Sequence, residues 1–503
     1  MHNFLTILAL LTSFGIRTSS FAAELRPNVL FILTDNQGAW SLGCYGNKDI
    51  HTPNLDRLTG EGVRFENAFA NNPVCSPTRA TWLTGLTPSQ HGIHRYIDPK
   101  FFRGPEARDL LAGRETLHDL FHAAGYETGW IGKCHLGAHT QPRAGIGTWI
   151  VKMQGHTTSF YNTEVVFGSG VKKVKDHLTT FWTDRAVEFI QKQPRDKSRP
   201  FFLYLAYNGP YGLGGCVSED PPDRWKTFYA DKPMTHWPRP AAPHPTQRAD
   251  LKHIGNIRSM RNLAAQISAV DEGVGRVLAA LKDANLEQDT LVIFSADQGA
   301  VAGHAGFWGM GDHATPNHLR DGTLKVPLII RWPGKMSPGT RPQIVSNLDL
   351  VPTLRAMLDL PAKTPSEKLP GRDLSALLLK NESPAGEEML FAEFELARAA
   401  RTPRWKYVRR IAGEPAQELY DLAADPDELT NLAPQANDEQ RKVIAFFDAR
   451  LTQWFSQHRD KQWDLWNGGG TQGRVMGDLA KHLKTSAPDS KTKRITKQPK
   501  PQD

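Results

Sequence analysis

Asn28-Val29-Leu30-Phe31-Ile32-Leu33, followed at once by Thr34-Asp35-Asn36-Gln37, decides the fold. The apolar run is β-rich and unbroken, so both of its faces must be covered. The polar residues follow directly, which puts their side chains at the carboxyl end of a buried strand. Val63 to Phe69 alternates like a strand, and further strands are predicted at Thr128 to Ile131, Phe201 to Tyr207, Thr290 to Ser295 and Val326 to Arg331.

Helical patterns alternate with these strands. Pro53 to Leu58, with Thr52 as N-cap and Gly60 as stop, predicts a short helix, and Arg79 to Leu86 another. Ile257, Met260, Leu263, Ile267, Val270, Val274, Val277, Leu278 and Leu281 recur at three- and four-residue steps and predict one long amphipathic helix. The alternation implies an α/β fold: a large, mostly parallel or mixed sheet with helices on both faces. Gly209 to Gln247 is Pro-rich and weakly patterned. A loop that long is often functional, and Tyr211, Trp225, Tyr229, His236, Trp237 and His244 suggest a pocket wall.

The pattern changes near Asp359. Pro361 to Pro370 reads as a linker, followed by β-like pieces at Met389 to Phe394, Tyr407 to Arg410 and Glu418 to Leu422, and a helix from Asp438 to Trp454. The expected division is a signal peptide (1–23), an α/β catalytic domain (24–360), a C-terminal α+β subdomain (361–470) and a basic disordered tail (471–503). The 503-residue length suits a multi-unit chain. Net charge is +8, and residues 481–503 hold seven Lys/Arg against two Asp. The remainder is close to neutral, which excludes a dedicated nucleic-acid binder.

Phe4 to Leu11 is an apolar core, with small residues at Ala22-Ala23, as in an export signal. It is too short to span a membrane comfortably, and no other apolar run has that length. The chain is expected to be periplasmic, secreted or lumenal. Four cysteines are too few for a disulfide framework; one bridge among Cys44, Cys134 and Cys216 remains open.

Cys75-Ser76-Pro77-Thr78-Arg79, continued by Ala80-Thr81-Trp82-Leu83-Thr84-Gly85, fits neither a disulfide nor a zinc site. It resembles the signature of the formylglycine-dependent sulfatases, arylsulfatase-like members of the alkaline phosphatase-like superfamily. The resemblance covers roughly residues 27 to 455. It implies that Cys75 is oxidised by a maturation enzyme to formylglycine, whose hydrate attacks sulfur with one hydroxyl and releases sulfate with the other. Arg79 would steady that group, beside the positive end of a helix.

Asp35-Asn36 and Asp297-Gln298 each follow a predicted strand. Carboxylate and amide oxygens suit Ca2+, with Mg2+ as the alternative. The resemblance maps Asp35, Asn36, Asp297 and Gln298 onto metal ligands, with residue 75 completing the shell. Asn36 and Gln298 depart from the commoner family residues, removing one negative charge.

Lys133-Cys134-His135 ends the strand Thr128 to Ile131, and period two puts Lys133 and His135 on one face. The resemblance implies that Lys133 contacts sulfate and His135 the formylglycine. Tyr211 stands where the family commonly has His, so its expected role is a hydrogen bond to sulfate or the leaving group. The resemblance implies a Lys or His ahead of the strand at Lys325 to Ile330; His318, or alternatively His313, is nearest that slot and is the expected general acid, since an imidazole titrates near neutrality.

The expected function is hydrolysis of sulfate esters of a small molecule or, on the export signal and aromatic loop, a carbohydrate. Two alternatives remain: a phosphate or phosphonate ester hydrolase of the same superfamily, and a non-catalytic sulfated-glycan binder.

Overall fold

A computed structural model describes residues 26–192, 199–361, 368–383 and 388–485. The expected signal peptide, most of the linker and the chain beyond 485 lie outside these residues.

The strands are β1 (Asn28–Asp35), β2 (Val63–Phe69), β3 (Glu127–Gly132), β4 (Thr148–Lys152), β5 (Thr163–Phe167), β6 (Gly170–Val174), β7 (Phe201–Pro210), β8 (Thr290–Ala296), the short pair β9 (Val301–Ala302) and β10 (Trp308–Gly309), β11 (Leu328–Arg331) and β12 (Gly339–Ser346). Apart from the short pair they form one ten-stranded sheet, ordered β12-β2-β11-β8-β1-β7-β3-β4-β5-β6. The centre is parallel: β1 pairs with β7 and β8, and β3 with β7 and β4. β11 runs antiparallel to β2 and β8, and the β4-β5-β6 edge is antiparallel, so the sheet is mixed.

β1 is buried along its whole length. Leu30 and Ile32 pack with the helices Leu178–Gln191 and Ile257–Asp283. Val29, Phe31 and Leu33 pack on the opposite face with Trp82, Leu83, Phe121 and Val351. This two-sided cover explains why the run is uninterrupted rather than alternating.

A four-stranded antiparallel sheet follows, β13 (Leu390–Phe394), β14 (Ala397–Arg401), β15 (Trp405–Arg410) and β16 (Gln417–Asp421), with the helix Asp438–Gln457 against it.

Several expectations are corrected. The helix near the Cys motif is Cys75–Thr84, four residues earlier than expected at its start, and it ends on Gly85 in the left-handed region at φ 70°. Thr52 does not cap the Pro53–Gly60 helix; its hydroxyl accepts from Gly43 N and donates to Asp56. Most aromatic residues of the loop after β7 do not form a pocket wall, Tyr211 apart. Trp225, Tyr229 and Trp237 are buried in the core around the long helix, and His236 points outward to Asp49. A proline-rich segment can pack by side chains without regular periodicity, which hid this role.

Residues 471–485, expected to be disordered, are folded onto the rest of the chain. Leu479 is buried against Leu396 and Leu465, and Gln472 Nε2 donates to the carbonyls of His91 and Leu110. All four cysteines are free, so no bridge forms among Cys44, Cys134 and Cys216. Among the described residues no helix is long and apolar enough to cross a membrane.

Candidate active site

Parallel pairing aligns strand ends, and in an open α/β sheet ligand sites form there. β1 ends at Asp35, β8 is followed by Asp297, β3 by Lys133 and β7 by Tyr211. Segments far apart in sequence therefore converge on one spot.

Cys75 opens a helix whose ten residues are all buried. Its Sγ, a carboxylate oxygen of Asp35 and one of Asp297 all lie within 4.8 Å of one another. Arg79 sits one turn further along. Its Nε and Nη2 both engage Asp297 Oδ2, at 2.9 and 2.7 Å, and Nη2 lies 3.8 Å from Asp35 Oδ1. Nη1 donates to Lys133 O at 3.3 Å. Asp297 Oδ1 accepts from the backbone of Asn36 and Gln298, at 3.0 and 2.8 Å. Asp297 is thus fully held, whereas Asp35 Oδ1 is buried with no hydrogen-bond partner.

Lys133 and His135 reach the site, but not as expected. β3 stops at Gly132, and His135 lies past the strand in the left-handed region at φ 60°. A turn, not strand periodicity, directs both inward. Lys133 Nζ lies 2.5 Å from Asp35 Oδ2 and 5.1 Å from the centroid of the Tyr211 ring. Cys75 Sγ lies 3.2 Å from His135 Nδ1. Positive φ recurs at Asn36 (57°) and Tyr211 (37°). Tyr211 is bulky, so this conformation is strained, and such strain clusters at functional sites.

The electrostatics follow from burial. Burial and the neighbouring Asp297 push the Asp35 carboxyl up to about 7, against the opposing pull of Lys133 and Arg79. Burial pushes the Cys75 thiol up to about 12. Burial, and then Lys133, hold His135 well below its usual value, so it is a neutral imidazole. Burial disfavours the Arg79 charge, but Asp297 and Asp35 outweigh it and raise its pKa.

The sulfatase family model matches residues 27–360, two-thirds of the chain. The chain belongs to the sulfatase family. Residues 313–457 also match the model described as N-sulphoglucosamine sulphohydrolase, C-terminal.

Among relatives of this sulfatase is the uncharacterized sulfatase YidJ of Escherichia coli (strain K12), 29% identical over 456 residues, covering 81% of this chain and 83% of the relative. An N-acetylglucosamine-6-O-sulfatase of Bacteroides thetaiotaomicron is 25% identical, covering 87% and 88%. A solved complex with the substrate D-glucosamine-2-N,6-O-disulfate superposes with a TM-score of 0.71, covering 87% of this chain and all of that one; at 22% identity it bears on the fold. The fold is that of the sulfatases, and the chain is a sulfuric ester hydrolase by family.

Asn36 and Gln298 sit side by side at the carboxylate cluster. Gln298 Nε2 donates to Asn36 Oδ1 and, at 3.1 Å, contacts Met310 Sδ, while Gln298 Oε1 accepts from Thr78 at 3.3 Å. The Thr78 contact was not foreseen, because its partner Gln298 lies 220 residues away in sequence.

The structure does not bring His318 into this sulfatase site. Its ring packs edge-on against Phe307, with centroids 5.0 Å apart. Burial, followed by Arg320, Lys406 and Arg410, holds it well below its usual value, so it has no proton to give at neutral pH. His313 turns to carboxylates instead, with Nδ1 3.3 Å from Asp250 Oδ2. Burial works against its charge, but Asp250 and Asp312 prevail and raise its pKa. The expected general acid is therefore corrected for His318.

His156 escaped sequence reasoning. Its ring packs edge-on to His135, with centroids 4.7 Å apart. An isolated histidine in an irregular loop carries no local signal.

Proposed function

We propose that this sulfatase hydrolyses sulfate esters of a carbohydrate, with formylglycine derived from Cys75 and one divalent cation, Ca2+ in preference to Mg2+. The observation that carries the reading is the convergence of Cys75, Asp35 and Asp297 within 4.8 Å. A thiol pushed up to about 12 is a poor nucleophile as it stands. A site so elaborately built around it fits conversion of the residue better than thiol chemistry.

The residues also fit a cation. Two buried carboxylates face each other, Asp35 Oδ1 lacks a partner, and the donors are hard oxygens. Asp35 and Asp297 would hold the ion, with Asn36, Gln298 and residue 75 around it. When present, the cation polarises the sulfuryl oxygens, and the hydrated formylglycine supplies a nucleophile with a second hydroxyl for release of sulfate.

The side chains supply the rest. Arg79 locks Asp297 in one orientation through two donors. Lys133 places a buried ammonium where negative charge builds on the sulfuryl group; such charge counts for more in a water-excluded site. His135 fixes the side chain at position 75 from one side. Tyr211 presents its hydroxyl from the next strand end.

Support for a carbohydrate substrate comes from the named sugar sulfatase among the relatives, since Trp225, Tyr229 and Trp237 of the aromatic loop are core residues. Export rests on residues 4–23 of the sequence. The described residues hold one such metal-competent cluster, whereas phosphatases that use two metals need a second.

Two measurements test the proposal. Conversion at residue 75 is a covalent change that removes about 18 Da from the peptide, regained on hydration. Sulfate-ester and phosphate-ester panels then separate the readings: turnover of sulfates supports the proposal, preference for phosphates or phosphonates replaces it, and binding without turnover marks a glycan-binding protein.

A further inference from the structure

Residues 471–476 lie beyond both matched family regions and run along the segment from His91 to Tyr96. Backbone and side-chain bonds hold them there. Gln472 N donates to Gly92 O at 2.7 Å, and Arg474 N to Tyr96 O at 2.9 Å. Gln472 Nε2 reaches His91 O and Leu110 O, and the Tyr96 hydroxyl contacts Met476 Sδ at 3.0 Å. Gly473 lies so close to Arg95 that a Cβ would stand 2.8 Å from its carbonyl oxygen, which leaves room only for glycine.

This strap delivers one charge. Arg474 is exposed, and its guanidinium lies 6.0 Å from the centroid of the Tyr96 ring. The Tyr96 ring packs edge-on to His156 at 4.8 Å, and His156 packs on His135 at 4.7 Å, next to Cys75. The rings of Tyr96 and His156 thus form a half-buried shelf from the reacting position to Arg474.

The other cations nearby are committed. Arg95 is paired with Asp312 and Glu395, and the Lys152 ammonium is buried on the carbonyls of Gln154 and His156. Among the described residues Arg474 pairs with no carboxylate. Its charge is felt at His156, which burial, then Lys133, Lys152 and Arg474, pull down to about 4.

We infer that Tyr96, His156 and Arg474 form a subsite for the alcohol portion of the substrate, and that Arg474 binds a second anionic group on that portion. The Tyr96 and His156 rings, 4.8 Å apart, offer an apolar face about one sugar ring across, and guanidinium is the natural partner for sulfate or carboxylate. This inference rests on the sulfatase reading and deepens it: the preferred ester carries a further negative charge one ring away from the sulfate that is cleaved.

The test uses the matured, metal-loaded protein with 4-nitrophenyl sulfate as reporter. D-Glucosamine-2-N,6-O-disulfate and N-acetylglucosamine-6-sulfate serve as competing ligands, read by inhibition and by calorimetric titration. The wild type is expected to bind the disulfated sugar about tenfold more tightly, in line with one charge-assisted contact. R474Q should abolish that preference and R474K should restore part of it, while kcat/KM for 4-nitrophenyl sulfate stays within about twofold. Equal affinity for the two sugars in the wild type, or a preference that survives R474Q, overturns the inference. If no sulfate ester of the panel is cleaved, the sulfatase reading fails by itself, and calorimetry still decides the subsite.

Discussion

Lys133 Nζ lies 2.5 Å from Asp35 Oδ2, with both side chains fully buried. The ammonium and Arg79 balance two carboxylates in a place water does not reach. Every charge in this cluster depends on another, so single substitutions should be costly.

Arg79→Ala removes the group that engages Asp297 twice and approaches Asp35. Breaking a buried pair from one side costs about 3–5 kcal/mol because the remaining charge is stranded. Urea unfolding should show a loss of that order, together with loss of turnover.

Lys133→Met keeps the volume and deletes the charge. Loss of a preorganised electrostatic contact costs about 10²–10³-fold in kcat. The decrease should exceed any change in KM for 4-nitrophenyl sulfate.

Cys75→Ser offers one hydroxyl and no aldehyde. It can take up a sulfuryl group but lacks the second hydroxyl that expels it. Rapid-quench assays should show at most one turnover per site; steady turnover would contradict the formylglycine reading.

Gly155→Ala acts at a distance from the reacting atoms. A Cβ there would stand 2.0 Å from His135 Cδ2. His135 must shift from its place beside Cys75, so kcat should fall by about tenfold or more, as small misplacements at a site do. His318→Ala, in contrast, should leave kcat within a few-fold, because that ring packs against Phe307.

Glu395 gives stability a pH dependence. Burial pushes its carboxyl from 4.5 up to about 7, with Arg95 opposing and Asp312 adding to the rise. The folded state then holds a proton that the unfolded chain releases, so this group's contribution declines as pH rises from about 4.5 to about 7. Glu395→Gln should narrow the difference in urea stability between pH 5 and pH 8. An unchanged difference would place the titration elsewhere.

The residues around Cys75 were legible in sequence because each carries local chemistry at a strand or helix end. Asp35 follows an apolar run, Asp297 follows another, and the Cys75 to Arg79 signature precedes a helix. The general acid was not legible. Histidines near a predicted strand look alike in sequence, and packing alone sends His318 to Phe307 and His313 to Asp250.

The sequence by itself determined the sheet's central strands, the long helix and the chemistry gathered at strand ends, since periodicity and residue type are local properties. Tertiary structure alone decided which ends meet, through parallel pairing of β1 with β7 and β8 and of β3 with β7. It also decided that Trp225, Tyr229 and Trp237 of the proline-rich loop are core and that residues 471–476 return to the segment from His91 to Tyr96. Both depend on packing between segments distant in sequence, and no local pattern encodes that.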